Sequence, residues 1–270
     1  KSKISFMTKN RKLFEEIDER SDNTKARSIE TFSIEQSSWL RIWLWTLLVS
    51  LISLILVGGW TRLTDSGLSI VEWKPITGMI PPFNAEGWIV EFEKYKSIPE
   101  FKLVNFDITM DEFKFIYWWE WGHRQLARFI GLVWFVGFLT LWILKQIPER
   151  WTFYFFGIGL LGALQAFLGW WMVSSGLDGQ VVDVFSYRLA IHLTMAFIIL
   201  ALIFWAILFH SENSAKIFES KRYRNKVSVT ILAGLGVLCY VQLALGALVA
   251  GIDAGRAYND WPLMNGNWIP

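Results

Sequence analysis

The sequence predicts an all-α membrane protein, a polytopic helix bundle with one complete set of four helices and the first helix of a second, repeated set. Three observations support this prediction. Hydrophobic residues fill 53% of the 270 positions and the mean hydropathy is +0.35, which is too apolar for an ordinary soluble domain. Five stretches reach the roughly 20 apolar residues that a bilayer-spanning helix needs. A segment at the end of the first stretch also recurs later in the chain.

The five predicted spans divide the chain into four units. The units are an amino-terminal segment, 1–38, a first bundle, 39–209, a basic linker, 210–226, and the start of a second bundle, 227–270. Gly58 and Gly59 are expected to end the first span, because glycine disfavours a continued helix. The spans themselves are predicted at 39–60, 116–144, 151–173, 189–209 and 227–252.

The placement of basic residues predicts the orientation. Lys and Arg number eight in 1–38 and five in 210–226, but none occurs in the loop 174–186. The long loop 61–115 has six, and its acidic residues outnumber them. By the positive-inside tendency, the amino terminus lies in the cytoplasm or matrix and the loop 61–115 lies outside.

The long loop 61–115 contains Trp88, Phe92 and Tyr95 at helical spacing, with Glu and Lys between them. An amphipathic helix on the membrane surface would have this pattern. A packed outer loop without that helix fits equally well, and both alternatives stay open.

An internal repeat joins the first span to the fifth. A shift of 188 positions superposes six identical residues, which indicates that the fifth span begins a second copy of the unit that the first span began. Three further helices are then expected beyond Pro270, giving eight in the full protein. The identical pairs are Gly58 and Gly246, Asp65 and Asp253, Gly67 and Gly255, Trp73 and Trp261, Gly78 and Gly266, and Pro82 and Pro270.

Two histidines fall at similar predicted depth in the outer half of the membrane. His123 lies about one and a half turns into the second span and His192 about as far into the fourth. Alternate helices of a four-helix bundle face each other, so the two imidazoles are predicted to form an axial ligand pair for haem iron. A hydrogen bond between helices is the alternative for each. His210 is expected to cap its helix or to meet headgroups, and Gln165 to bond between helices.

Ionisable residues surround this pair. Glu120 precedes His123 by three residues, and it is predicted either to handle a proton or to form a salt bridge with Arg124. Arg124 and Arg128 suit haem propionates, because guanidinium groups bind carboxylates bidentately. Anchoring at the interface is the alternative, and the predicted depth of Arg128 disfavours it for that residue. Arg62 is expected to pair with Asp65 and is a further candidate for propionates.

Four motifs in this order resemble the haem A synthase family. They are "GGWTRLTDSGLSI", "EWGHRQLAR", "RLAIHLTMA" and "DAGRAYNDWPLMNG", and the resemblance covers residues 39–270. A single cysteine, Cys239, makes the chain similar to the cysteine-poor alphaproteobacterial and mitochondrial members.

The resemblance implies an oxidoreductase that oxidises the C8 methyl group of haem O to a formyl group, giving haem A for cytochrome oxidase. It implies that His123 and His192 bind the iron of the substrate haem, that Glu120 is catalytic, and that Arg62, Arg124 and Arg128 bind propionates. A haem b cofactor is expected in the second bundle, with ligands outside this chain.

The family resemblance also implies partners and a location. Expected partners are membrane lipid, haem O synthase, oxidase assembly factors and a second copy of the chain, without nucleic acid. The expected location is the bacterial plasma membrane or the mitochondrial inner membrane. The alternative function is a b-type cytochrome, which would use the same histidine pair for electron transfer without substrate chemistry.

Overall fold

The computed structural model describes residues 37–177, 181–212, 216, 219–220, 222–258, 260 and 262–268. Residues 1–36 of the predicted amino-terminal segment therefore lie outside the described part, as do Trp261 and Pro270 of the repeat. A short 3-10 helix covers Thr77–Met79. The α-helices are α1 Ser38–Leu63, α2 Ala85–Lys96, α3 Pro99–Leu103, α4 Met110–Ile143, α5 Glu149–Leu177, α6 Ser186–Ser211, α7 Lys226–Gly251 and α8 Ala254–Ala257.

Five of these helices are long and apolar enough to cross a membrane. They are α1, α4, α5, α6 and α7, and they coincide with the five predicted spans to within a few residues, apart from the start of α4. The chain is therefore a multi-pass helical membrane protein, as its composition predicts. We call the side on which α1 ends and α4 begins the outer side.

Helix α4 begins six residues before the predicted start of the second span, at Met110. Thr109 caps it, and Glu112 bonds back to the Thr109 backbone, which completes a capping box. With 34 residues the helix is about 51 Å long, well beyond the roughly 30 Å of a bilayer core. Its first turns therefore stand outside the membrane.

The glycine pair does not end the first span, so that prediction was wrong. Helix α1 runs through Gly58 and Gly59 to Leu63, and the chain leaves the helix at Asp65, whose φ is 49°. Inside a helix the missing Cβ makes room for a neighbouring side chain, and Gly58 has such a neighbour in His123.

The packing order of the helices places α4 and α6 at opposite corners of the first bundle. Helix α1 contacts both α4 and α6, and α5 contacts the same two helices. Helix α7 packs against α6 on the outside of this ring. Side chains of α4 and α6 can therefore face one another across the centre.

Two hydrophobic clusters fill the bundle at different levels. The inner cluster is built around the fully buried Leu44, Phe155 and Ala206 of α1, α5 and α6. The outer cluster surrounds Tyr95 and Phe113, which are both fully buried, where the long loop packs on the projecting turns of α4. The level between the clusters is where the candidate site lies.

The long outer loop contains the helix that its pattern allowed. Helix α2 has Asn84 as its N-cap, and its apolar face packs on protein, because Phe92 stacks on Phe113 at 4.9 Å and Trp88 meets Tyr117 edge-on at 5.0 Å. Both alternatives were thus partly right, since the segment is helical and is also packed against α4.

The predicted repeat is visible in the backbone. Asp65 and Asp253, which are 188 positions apart, have φ values of 49° and 50° directly after α1 and α7. Arg62 donates to the carbonyl of Ala250 at 3.1 Å, and Ala250 is the residue that corresponds to Arg62 under the same shift. Such a contact between equivalent positions is expected beside the axis that relates two repeats.

Candidate functional site

Each of the two predicted histidine ligands packs against a glycine of a neighbouring helix. A Cβ placed on Gly58 of α1 would lie 3.0 Å from Nε2 of His123. A Cβ on Gly169 of α5 would lie 2.9 Å from Cε1 of His192. Both imidazoles therefore occupy space that only glycine leaves free.

The two histidines share one level of the bundle. They project from the opposite corners α4 and α6. Both fall between the two hydrophobic clusters, which meet their helices on either side: at Trp121 and Ile130 on α4, and at Leu189 and Met195 on α6.

His192 has a polar neighbour on α5. Gln165 donates from Nε2 to the backbone carbonyl of His192 at 2.9 Å, so the sequence-based expectation of a bond between helices is confirmed for this residue. The Gln165 Oε1 and the His192 Nδ1 are both buried without a hydrogen-bond partner. An imidazole that binds a metal commonly donates its other N–H to a carbonyl oxygen, and Gln165 carries one nearby.

The side chains of His123 and His192 suit a haem better than a bare metal ion. In the part of the chain that the structure describes, no three His, Cys, Asp or Glu side chains are grouped to hold a metal. Two imidazoles from opposite corners, with an unpartnered Nδ1 on one of them, are instead the kind of ligand that a haem iron takes.

His210 differs from its predicted surroundings. It was expected to cap α6 or to meet lipid headgroups, but only 3% of its surface is exposed. Its ring packs on Trp151 at 4.8 Å and on Phe209 at 5.6 Å. The aromatic side chains at the inner end of α5 and α6 therefore enclose it, far from the other two histidines.

Glu120 is buried, and four donors surround its carboxylate. Oε2 accepts from the Ser69 hydroxyl and from the backbone N–H of Ile70, both at 2.7 Å. Oε1 accepts from Nε of Arg124 at 3.0 Å and also from Nη2 of the same guanidinium. The predicted salt bridge with Arg124 is present, and both carboxylate oxygens are engaged by residues other than His123.

We call residues 69–83 of the outer loop the strap. Further polar residues of "EWGHRQLAR" form hydrogen bonds to it. Arg124 donates to the carbonyls of Ile70 at 2.9 Å and Glu72 at 3.1 Å. Arg128 donates to the carbonyls of Lys74 and Pro75, both at 2.9 Å. The guanidinium groups of both arginines thus bind backbone of the strap.

Arg62 lies among three carboxylates. It pairs with Asp65 at 3.0 Å, as expected, and also with Asp183 at 2.9 Å and Asp253 at 3.2 Å. Arg256 of the second repeat in turn approaches Asp65 of the first at 3.7 Å. Each repeat therefore contributes an arginine that pairs with an aspartate of the other. We call these five residues the clasp. Propionate binding by Arg62, Arg124 and Arg128 remains a prediction, since each now has partners within the protein.

Sequence reasoning did not identify Glu100 as a site of interest. It lies on α3 and is 6% exposed, and its Oε2 has no hydrogen-bond partner. Burial raises its pKa to about 8, and the nearby carboxylates of Glu120, Asp183 and Asp65 act in the same direction. A neutral carboxylic acid therefore lies beneath the outer loop at neutral pH.

Comparison with known proteins identifies close relatives. A family model described as cytochrome oxidase assembly protein matches residues 41–270. A heme A synthase of Dinoroseobacter shibae is 49% identical over 98% of this chain and 70% of its own length. Heme A synthases of Cereibacter sphaeroides and Paracoccus denitrificans are 47% and 52% identical, over 97% and 86% of this chain and 68% and 61% of their own lengths. No solved structure gives a significant match.

Proposed function

Because the chain belongs to the family of cytochrome oxidase assembly proteins, we propose that it acts in haem A biosynthesis as its relatives named heme A synthase do. The proposed substrate is haem O and the proposed product is haem A, formed by oxidation of the C8 methyl group to a formyl group. The reaction removes four electrons in two successive oxidations, with an alcohol between them. The chain spans 61 to 70% of the length of these relatives, so the activity is proposed for the whole protein.

The observation that carries the proposal is the pair His123 and His192. They lie at opposite corners of one bundle, each against a glycine. We assign them as the axial ligands of the substrate haem, whose iron supplies the redox chemistry when it is bound. Gly58 and Gly169 keep the ring positions free. Gln165 orients His192 through its amide.

We propose that Glu120 supports the reaction by positioning the strap. Its carboxylate and Arg124 fix the start of the strap beside the turn of α4 that bears His123. Proton transfer through Glu120 would first require one of its hydrogen bonds to open. A displaced strap would disturb the outer part of α4 next to His123, and in this way Glu120 would support activity without touching the substrate.

A b-type cytochrome would use the same histidines, but the names of the relatives favour the enzyme. The second bundle is proposed to hold a haem b with ligands beyond this chain. Haem O synthase, oxidase assembly factors and a second copy remain proposed partners, in a bacterial plasma membrane or a mitochondrial inner membrane with the amino terminus inside.

The decisive experiment expresses the full-length protein with a source of haem O and identifies the extracted haems by mass. We expect haem A with the wild type and none with His123→Ala or His192→Ala. His210→Ala, which removes the third buried imidazole, is the matched control and should still give haem A. Absence of haem A with the wild type would refute the activity, and its persistence in His123→Ala would refute the ligand assignment.

A further inference from the structure

The strap does not simply cover the outer ends of the helices, because its hydrogen bonds follow α4 downward. Ile70 is bonded at Glu120, whereas Lys74 and Pro75 are bonded at Arg128, eight residues further along the helix. The Cα atoms of those two helix residues are about 12 Å apart along the axis, so the strap runs inward along α4. The chain then turns back, since Gln125 donates to the carbonyl of Met79 at 2.5 Å.

The depth of that turn follows from the length of α4. The helix ends at Ile143, just before the basic turn that begins with Lys145, so Ile143 marks the inner boundary of the hydrocarbon. Roughly 20 residues cross a bilayer core of about 30 Å, which places the outer boundary near Arg124. Arg128 is then about 6 Å inside that boundary. Its side chain leans back toward Gln125, whose Oε1 accepts from Nη1 at 2.7 Å, so the strap backbone that it binds lies between that depth and the boundary.

Apart from Lys74 and Thr77, the side chains at the turn are apolar, and most of them are exposed. The only ionisable residue between positions 73 and 83 is Lys74, and it pairs with Glu72 at 2.6 Å. This surface continues the exposed apolar face of α4, where Leu132 is 61% exposed. The exposed fractions along the strap are 48% for Trp73, 76% for Ile76, 50% for Met79, 65% for Ile80 and 84% for Phe83.

The strap backbone also suits an apolar medium. A non-helical segment at membrane depth needs partners for its polar groups. Arg128 and Gln125 supply donors to the carbonyls at the turn, and prolines at 75, 81 and 82 have no N–H to satisfy. At Gly78 a Cβ would lie 3.1 Å from both Nη2 of Arg128 and Cβ of Lys74, so the turn fits closely around the guanidinium.

We propose that the strap is a re-entrant loop, inserted into the outer leaflet so that Trp73, Ile76, Met79, Ile80 and Phe83 contact lipid acyl chains. Arg124 and Arg128 thereby act as the anchors that hold irregular backbone inside the membrane. The proposal does not depend on haem binding and can fail or succeed separately from the proposed function.

The test measures membrane depth with a nitroxide label on the full-length protein, in a background in which Cys239 and every other cysteine are serine. Ile76→Cys is labelled, and the protein is reconstituted in phosphatidylcholine vesicles. Power saturation then compares collisions with oxygen, which concentrates in the bilayer, and with a water-soluble nickel chelate. Leu132→Cys is the lipid-facing reference on α4, and Val104→Cys, which is 54% exposed on the outer loop, is the aqueous reference.

We expect the ratio of oxygen to nickel accessibility at Ile76 to match Leu132 and to exceed Val104 several-fold. A ratio like that of Val104 would overturn the proposal, and so would a label shielded from both reagents, which would mean that protein covers the strap. Ile80→Cys provides a second position if Ile76→Cys does not fold. Arg128→Gln in the Ile76→Cys background should shift the ratio toward the aqueous value, because it releases the backbone of the turn.

Discussion

The ring of His123 lies against the backbone of α1 at Gly58, where even one methyl group would come within 3.0 Å of Nε2. The relationship links a ligand candidate on one helix to a missing side chain on another, 65 positions away in the sequence. It makes Gly58 a test of whether the position of this imidazole matters.

Gly58→Ala is expected to push the His123 ring from its place and to reduce the haem retained by the purified full-length protein. Loss of ligand orientation typically costs about 10- to 100-fold in metal affinity. Haem content by absorbance of the purified protein measures the effect. Gly59→Ala is the control, because a Cβ at Gly59 meets nothing within 4 Å. Equal haem content in the two variants would contradict the proposed role of the His123 position.

Gln165→Leu should alter the environment of His192 without removing the ligand. It deletes the amide that bonds to the His192 backbone, together with the buried Oε1 that has no partner of its own. We expect a shift in the haem reduction potential and in the low-spin electron paramagnetic resonance signal. Gln165→Glu, which keeps an acceptor oxygen, should restore much of the wild-type signal. If all three proteins gave the same potential and spectrum, Gln165 would have no influence on the ligand.

Glu120→Gln should destabilise the protein, because it leaves the Arg124 guanidinium without its buried counter-charge. Breaking a buried ion pair by removing one partner typically costs about 3 to 5 kcal/mol. Ser69→Ala removes one neutral donor to the same carboxylate and should cost less, about 1 to 3 kcal/mol. Unfolding in detergent measures both.

The comparison with Ser69→Ala separates positioning from proton transfer by Glu120. If Glu120 acts through the strap, Ser69→Ala lowers haem A formation together with stability, although the carboxylate is still present. Full activity in a clearly destabilised Ser69→Ala protein would speak for a direct role of the carboxylate.

Glu100 should make stability fall as the pH rises. Below its ordinary pKa of 4.5, the carboxyl is protonated in both folded and unfolded chains, and it makes no contribution. Between 4.5 and about 8 the unfolded chain loses this proton and the folded chain keeps it, so unfolding becomes easier. The slope has an upper limit of about 1.4 kcal/mol per pH unit, and it flattens above pH 8.

Glu100→Gln removes this titration, and its gain in stability over the wild type should grow from pH 5 to about pH 8 and then stay constant. Melting temperatures of both proteins between pH 5 and 9 check the prediction, with Glu93→Gln as the control on an exposed carboxyl. Parallel curves for the wild type and Glu100→Gln would show that the Glu100 carboxyl is ionised in the folded protein.

The clasp predicts energetic coupling between the two repeats. A double-mutant cycle with Arg62→Gln and Asp253→Asn should give a coupling of about 0.5 to 1 kcal/mol, since the pair is partly exposed. The pair Lys96 and Glu93, which lies within the single helix α2, is the control and should give less. No coupling between Arg62 and Asp253 would mean that the repeats are held together elsewhere.

Several features followed from local sequence pattern. The spans were predictable because about 20 apolar residues in a row have one low-energy state in a bilayer. His123 and His192 stood out for a related reason, since a polar side chain in a long apolar run or at its end is costly to bury unless it has a function. The repeat could be recognised because its identical residues keep one constant offset. Asp65 and Asp253 also have the same left-handed backbone conformation.

The tertiary structure decided which polar groups meet. Glu120 is bonded to Ser69 and Ile70, about 50 positions earlier, and Arg62 to Asp183 and Asp253, more than 100 positions later. No local periodicity encodes such pairings, because they depend on how the connecting segments return to the bundle.

Gly58 shows the same division within a single residue. Two consecutive glycines suggested a helix end there. Only the packing of α4 on α1 revealed that the absent Cβ leaves room for His123. Local pattern thus determined the five spans and made His123 and His192 the candidates for ligands. The close packing of distant helices determined what surrounds them, because steric fit and buried hydrogen bonds exist only once the segments are brought together.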